Sequence, residues 1–316
     1  MKIGILTSTL AANYGAVLQN YALSQILSRL GNSTLTIMAE RRIGGGHNDY
    51  PYNASVKRLC RSIIGGIIKK VLYGEKLRRI PSKREYELIT ASFRKFEEKY
   101  IPHTKYIPDL REEAQLSEYD FDAYIVGSDQ IWRKELSNKL SRFFLDFLSD
   151  DSKAKRIAYG ACWGKEEWDA SSEDIKIIRP LAQKFDAISV RNPSAIKICR
   201  ELLGVNAEWV LDPALLLTKE DYRKLLTNTP KSKSSGHVLA QASYSSLPIM
   251  KKIAESLGLP LYNFRPLPFT KRKTDSLEEC IEPSVEEWLK SYGVREILGL
   301  DDRPVSHANS ASRAQL

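Results

Sequence analysis

Cysteine is scarce in these 316 residues: Cys60, Cys162, Cys199 and Cys280 lie far apart, without a C-x-x-C spacing. That pattern fits neither a zinc site nor a disulfide framework, so the four read as reduced, structural thiols. Histidine is as rare, with His47, His103, His237 and His307 the full set. No metal-ligand cluster is visible, and neither a metal nor a resident cofactor is expected. No apolar run approaches the roughly 18 residues of a membrane span. Met1-Lys2-Ile3-Gly4 enters a strand at once, so no secretory signal is expected and the protein is read as cytoplasmic. The spaced glycines of a dinucleotide fingerprint are absent, as is the Gly-Lys-Ser/Thr ending of a P-loop. Helix-turn-helix, RNA-binding and zinc-finger patterns are also missing, which argues against a nucleic-acid partner.

What is present is a globular composition with a basic excess: 42% hydrophobic, 28% charged and a formal charge of +9. The charge points to acidic partners. Much of it is local, since Val56–Arg84 holds ten Lys or Arg against one Glu. There Val56, Leu59, Cys60, Ile63, Ile64, Ile67, Ile68, Val71 and Leu72 recur with helical spacing, an amphipathic helix with a cationic rim. Such a helix either packs on the core or lies on an anionic membrane surface, which would place the protein peripherally at the inner membrane face. Gly65-Gly66 weakens it by about 1 kcal/mol per glycine relative to alanine.

The length suits two domains, and strand-like runs alternate with helix-like runs, which predicts α/β architecture with parallel sheets. Ile3–Leu6 is a strand, and Ala16–Leu30 a helix with Val17, Leu18, Tyr21, Ala22, Gln25, Ile26 and Leu30 along one side. Gly31 follows as its C-terminal stop. Strands are also read at Thr34–Met38, Ala123–Val126, Ile157–Tyr159, Ala187–Val190 and Glu208–Leu211, with an amphipathic helical stretch from Lys83 to Tyr100. Small polar residues make 229–236 a linker between an N-terminal domain, 1–228, and a second region, 237–316. In the latter His237–Ala242, Pro248–Leu257 and Pro260–Phe264 read as β-α-β.

Polar residues collect where strands must end, the place where open α/β sheets bind ligands. The turn Asn13-Tyr14-Gly15 precedes a helix start whose backbone N–H groups are unpaired; it is either an anion site or an ordinary connection. Gly15 lacks a Cβ, so a ligand or another backbone could come close. Gly127-Ser128-Asp129-Gln130-Ile131-Trp132 offers hydroxyl-binding side chains, or a helix cap. Ser189-Val190-Arg191 brings a guanidinium able to pair bidentately with carboxylate or phosphate, or a surface arginine. Leu211-Asp212-Pro213 ends a third strand in a carboxylate.

Taken in order, Asn13-Tyr14-Gly15 with Leu18-Gln19 and Tyr21-Ala22-Leu23, the Gly127–Trp132 run, Ser189-Val190-Arg191, and Leu211-Asp212-Pro213-Ala214-Leu215-Leu216-Leu217 resemble the polysaccharide pyruvyl transferase family. The resemblance runs from the first strand to about Lys290. It implies a GT-B-like fold of two Rossmann-like halves, and transfer of a pyruvyl group from phosphoenolpyruvate to a sugar, commonly as a ketal on two hydroxyls, in exopolysaccharide or cell-wall polymer synthesis. Phosphoenolpyruvate would be a substrate and a saccharide, in some members lipid-linked, the acceptor. The same resemblance makes Arg191 the residue that grips the donor and assigns Asp129, with Arg191, to catalysis. Asn13, Tyr14, Gly15, Gln19, Ser128, Gln130 and Asp212 become substrate-binding, with Asp129 and Gln130 orienting the acceptor.

After a helix resembling Ser284–Lys290, family members continue into a buried strand and a Ser-Phe-His-Gly segment whose histidine is thought to act in catalysis. This chain reads differently from about residue 292, and Ser306-His307-Ala308 is not preceded by a buried strand. The second half is therefore expected to be truncated, by a frame disruption or as a persisting short form, with an inactive product as one consequence. A sugar transferase using a nucleotide-activated donor and a non-catalytic sugar- or phosphate-binding relative are the alternative readings.

Overall fold

The computed structural model describes residues 1–8, 13–39, 83–107, 109–110, 113–134, 140–229, 236–241, 246–264 and 277–291. The basic segment up to residue 82, most of the linker 229–236, the tail from 292, Cys60, His47 and His307 lie outside them. The chain divides into two units, Met1–Ile63 with Phe93–Leu216 and Ile64–Ser92 with Leu217–Leu316.

In the first unit six strands form one sheet: β1 (Lys2–Leu6), β2 (Ser33–Thr36), β3 (Ala123–Gly127), β4 (Lys155–Ala161), β5 (Ala187–Val190) and β6 (Glu208–Trp209). Their order is β2-β1-β3-β4-β5-β6 and every pairing is parallel. Parallel neighbours need crossovers, which helix α1 (Tyr14–Arg29) supplies between β1 and β2 and the helix Ser172–Ala182 between β4 and β5. This is a Rossmann/GT-B-like α/β fold, the class read from the sequence. All five residues of β3 are buried, as a strand covered on both faces must be.

Alternate residues feed two cores. Ile3, Ile5, Ala123 and Ile125 meet Leu23 of α1 on one face. On the other, Leu6, Tyr124 and Val126 join a larger cluster built around Trp132, Phe144 and Trp163. Trp132 stacks on Phe144 at 4.8 Å between ring centroids and is fully buried. A ring system of that size removes about 150–250 Å² from water, roughly 4–6 kcal/mol of gross stabilisation.

Helix α1 departs from a one-sided apolar stripe. Every residue from Ala16 to Ser24 is buried, while Leu30 is 71% exposed. The helix Ala91–Tyr100 accounts for part of this, with Phe96 edge-on to Tyr21 at 5.8 Å. Two polar α1 residues have specific partners: Asn20 Nδ2 donates to Thr36 Oγ1 at 2.9 Å, although its Oδ1 is buried without a partner, and the Ser24 and Thr34 hydroxyls lie 2.7 Å apart. Gly31, at φ +80°, ends the helix as its sequence position predicts.

The Lys83–Tyr100 stretch is two helices, Lys83–Ile89 and Ala91–Tyr100. At the break Thr90 sends both its amide and its hydroxyl to Tyr86 O, at 3.0 and 2.9 Å. In the second unit β7 (Val238–Ala240) and β8 (Leu261–Asn263) pair in parallel around the helix Leu247–Ser256, as the β-α-β reading expects. Leu225, Ala254, Phe264, Cys280 and Val285 are buried there. Among the described residues no helix is long and apolar enough to cross a membrane.

Cys162, Cys199 and Cys280 are buried and form no disulfide. Burial pushes the Cys199 thiol up to about 12. At pH 8 its thiolate fraction should therefore be on the order of 10⁻⁴, so iodoacetamide should leave Cys199 unmodified in the native protein and alkylate it in guanidinium chloride. Mass-spectrometric mapping that finds Cys199 labelled within minutes in the native state would contradict this environment.

Candidate functional site

The chain leaves β1 towards β2 on one side and returns to β3 on the other, so the sheet has its switch point between β1 and β3. A crevice opens outside the carboxyl ends of strands at such a point. Here the two loops meet directly: Ser8 Oγ, after β1, donates to Asp129 Oδ2, after β3, at 2.6 Å. The loop carrying Asp129 is pinned at both ends. Ser128 N donates to Tyr159 O at 2.9 Å, extending the ladder to β4, and Trp132 N donates to Cys162 O at 3.1 Å. Trp132 Nε1 donates to Phe143 O, and its own carbonyl accepts from Trp168 Nε1 at 2.7 Å.

Between those anchors Ser128 and Asp129 adopt φ of +34° and +57°. Left-handed backbone costs a residue with a Cβ about 1–3 kcal/mol, least for Asp and Asn. The Ser128 hydroxyl is moreover buried without a partner. Strain and an orphaned hydroxyl thus coincide on the residues that set the Asp129 carboxylate.

β4 contributes a bulge. The register to β5 shifts between Ala158 and Ala161, and Gly160 has φ +58°. Ser189 fills the gap, its hydroxyl donating to Ala158 O at 3.0 Å and accepting from Gly160 N at 3.1 Å. Beyond the bulge Cys162 Sγ accepts from Gly164 N and contacts Asn192 Oδ1 at 3.4 Å.

The charged centre lies at the ends of β5 and β6. Arg191 Nη1 donates to Asp212 Oδ2 at 2.7 Å. The same oxygen accepts from Gln19 Nε2 of α1 at 2.5 Å. Asp212 Oδ1 takes Ala214 N at 3.0 Å and so caps the 3₁₀ turn Pro213–Leu215. Trp209 Nε1 donates to Arg191 O at 3.1 Å and steadies the backbone behind the guanidinium. Burial works against the charge on Arg191, but the acidic neighbours Cys162, Asp212 and Asp129 outweigh it and raise its pKa. Burial, and then the charge of Asp212, raises the Tyr159 phenol above its ordinary value. Arg191 is thus held as a cation, with a side chain 26% exposed.

Of the residues picked out in the sequence, Gln19, Asp129, Arg191 and Asp212 are linked by hydrogen bonds or charge in this one neighbourhood. Ser128 sits at its wall, its hydroxyl facing Gly160. Asn13 spends its side chain as the N-cap of α1, accepting from Ala16 N at 3.1 Å, with Gly15 beside it. Tyr14 packs on Phe93 at 4.7 Å. Gln130 lies over Gly164, where a Cβ would stand 2.4 Å from its carboxamide carbon, and accepts from Arg133 Nη1. Ser8, Tyr159 and Cys162 were not picked out, although β4 was read as a strand and its carboxyl end carries the same signal as its neighbours'. No group of three His, Cys, Asp or Glu able to hold a metal occurs among the described residues.

Residues 13–296 match the model of a family described as polysaccharide pyruvyl transferase, over most of the chain. No curated protein and no solved structure matches the chain.

The Ser128→Gly protein should be more stable than the wild type by about 1 kcal/mol, because it sheds both left-handed strain and an unpaired buried hydroxyl against a smaller entropic cost. Urea unfolding followed by circular dichroism measures this; a variant destabilised by 1 kcal/mol or more would show that Ser128 is not strained.

Proposed function

Because the chain belongs to the polysaccharide pyruvyl transferase family, we propose that it transfers a pyruvyl group from phosphoenolpyruvate to a pair of sugar hydroxyls in exopolysaccharide or cell-wall polymer synthesis, with Arg191 gripping the donor. The observation that carries this is the state of Arg191. It is a stabilised cation at the carboxyl ends of a parallel sheet, and only its Nη1 is engaged among the described residues. A guanidinium with donors to spare suits the carboxylate or phosphate of the donor.

The transfer has defined demands. A proton must reach the methylene carbon of the enol, turning it into a methyl group and leaving a cationic centre at the neighbouring carbon. One sugar hydroxyl attacks that centre and loses its proton; the second then displaces the phosphate and closes the ketal, its proton leaving with the inorganic phosphate. Asp129, oriented by Ser8 and close enough to act electrostatically on Arg191, suits the proton-accepting role toward the acceptor hydroxyl. Arg191 would offset charge on the donor and on the departing phosphate.

Calorimetric titration of the full chain with phosphoenolpyruvate tests the grip. Replacing Arg191 by Ala should raise Kd about 100-fold, the order expected when charge-assisted hydrogen bonds are lost. Arg191→Lys, a point charge without the planar fork, should fall between the two. Wild-type affinity in Arg191→Ala would remove Arg191 from the donor site.

A further inference from the structure

Gln19 belongs to the second turn of α1, yet its partner is Asp212, 193 positions away in the chain. An ionised carboxylate can only accept, so the carboxamide must turn its Nε2 toward Asp212. Its Oε1 is then the remaining atom, and it is buried without a partner. Orphaned buried acceptors are rare because they destabilise the fold. A glutamine kept on these terms points to a use for the Nε2 contact rather than to stability.

The use follows from the atoms. Asp212 Oδ2 receives Gln19 Nε2 and Arg191 Nη1 together, while Ala214 N holds Oδ1. The carboxylate is tethered from α1 and from its own turn, and through it the guanidinium is fixed. Nη1 lies on the far side of the guanidinium from Nε–H, so this contact leaves the edge formed by Nε and Nη2 whole. That edge has no protein partner among the described residues. It is the geometry that takes one planar oxyanion through two parallel hydrogen bonds.

We propose that Gln19 is a positioning residue: acting through Asp212, it orients Arg191 so that the Nε/Nη2 edge presents to a single carboxylate or phosphate group. Gln19 and Asp212 then act on the cation and not on the ligand. The identity of that ligand as phosphoenolpyruvate rests on the function proposed above; the positioning itself does not.

The test is Gln19→Leu in the full chain, alone and with Arg191→Ala. With phosphoenolpyruvate as the probe, Gln19→Leu should raise Kd about tenfold, the order of a misaligned charge-assisted contact. In the Arg191→Ala background it should add nothing. Its melting temperature should match or exceed the wild type's, since the orphaned acceptor is gone. ¹⁵N side-chain spectra, with the Arg191 signals assigned by their loss in Arg191→Lys, should show distinct Nη resonances in the wild type that average together in Gln19→Leu. Losses that add between the two substitutions would mean that Gln19 touches the ligand itself and would overturn the proposal. So would an unchanged Kd with unchanged Arg191 spectra, or a lowered melting temperature with Kd unmoved. If the wild type fails to bind phosphoenolpyruvate, the donor assignment falls, and the Arg191 spectra alone decide whether Gln19 positions it.

Discussion

The Arg191–Asp212 ion pair is the constraint on which the site depends. A lone arginine at the edge of a sheet has many rotamers and little preference among them, and an exposed ion pair contributes at most about 1 kcal/mol. This pair differs because its carboxylate is shared. Asp212 also takes a side-chain amide from α1 and a backbone amide from its own turn. The guanidinium is therefore fixed by residues from two separate stretches of chain, α1 and the turn that carries Asp212. Such agreement between distant elements removes rotamers from a flexible cation and holds it in one orientation.

The site is costly. Ser128 and Asp129 take left-handed backbone, and Ser128 Oγ and Gln19 Oε1 are buried without partners. These features lie close to the carboxyl ends of the strands, and the aromatic core packs on the same loop. Trp132 is the pivot between the two. Its ring stacks in the core, its carbonyl accepts from Trp168 and its amide holds the strained loop to β4. Stability stored in that stack is what permits an unfavourable geometry a few residues away.

Much of the architecture was legible in the sequence, because short apolar runs bounded by polar turns have few solutions in an alternating β-α chain. Ala187–Val190 appears with the bounds read for it, and α1 within a residue or two. Legibility fell where long-range contacts decide. Glu208–Leu211 reads as four strand residues, but only two pair, since β6 is an edge strand with a single neighbour. The stripe on α1 looked one-sided because nothing local reveals that a later helix covers its outer face. The strand-end rule located Arg191 and Asp212 but could not tell a carboxylate that meets ligand from one that anchors a cation 21 residues earlier. Asn13 shows the same ambiguity, since its side chain caps α1 at the very turn read as an anion site. Tyr159 and Cys162 were within reach of the rule, and the polar content of β4's end was the signal passed over.

One experiment bears most directly on the central claim: a crystal structure of the wild-type protein grown with phosphoenolpyruvate. The account predicts one oxyanion group of the donor against Nε and Nη2 of Arg191, with Nη1 still on Asp212 and Gln19 still behind it. A donor bound elsewhere, or an Arg191 that leaves Asp212 to reach it, would contradict the account.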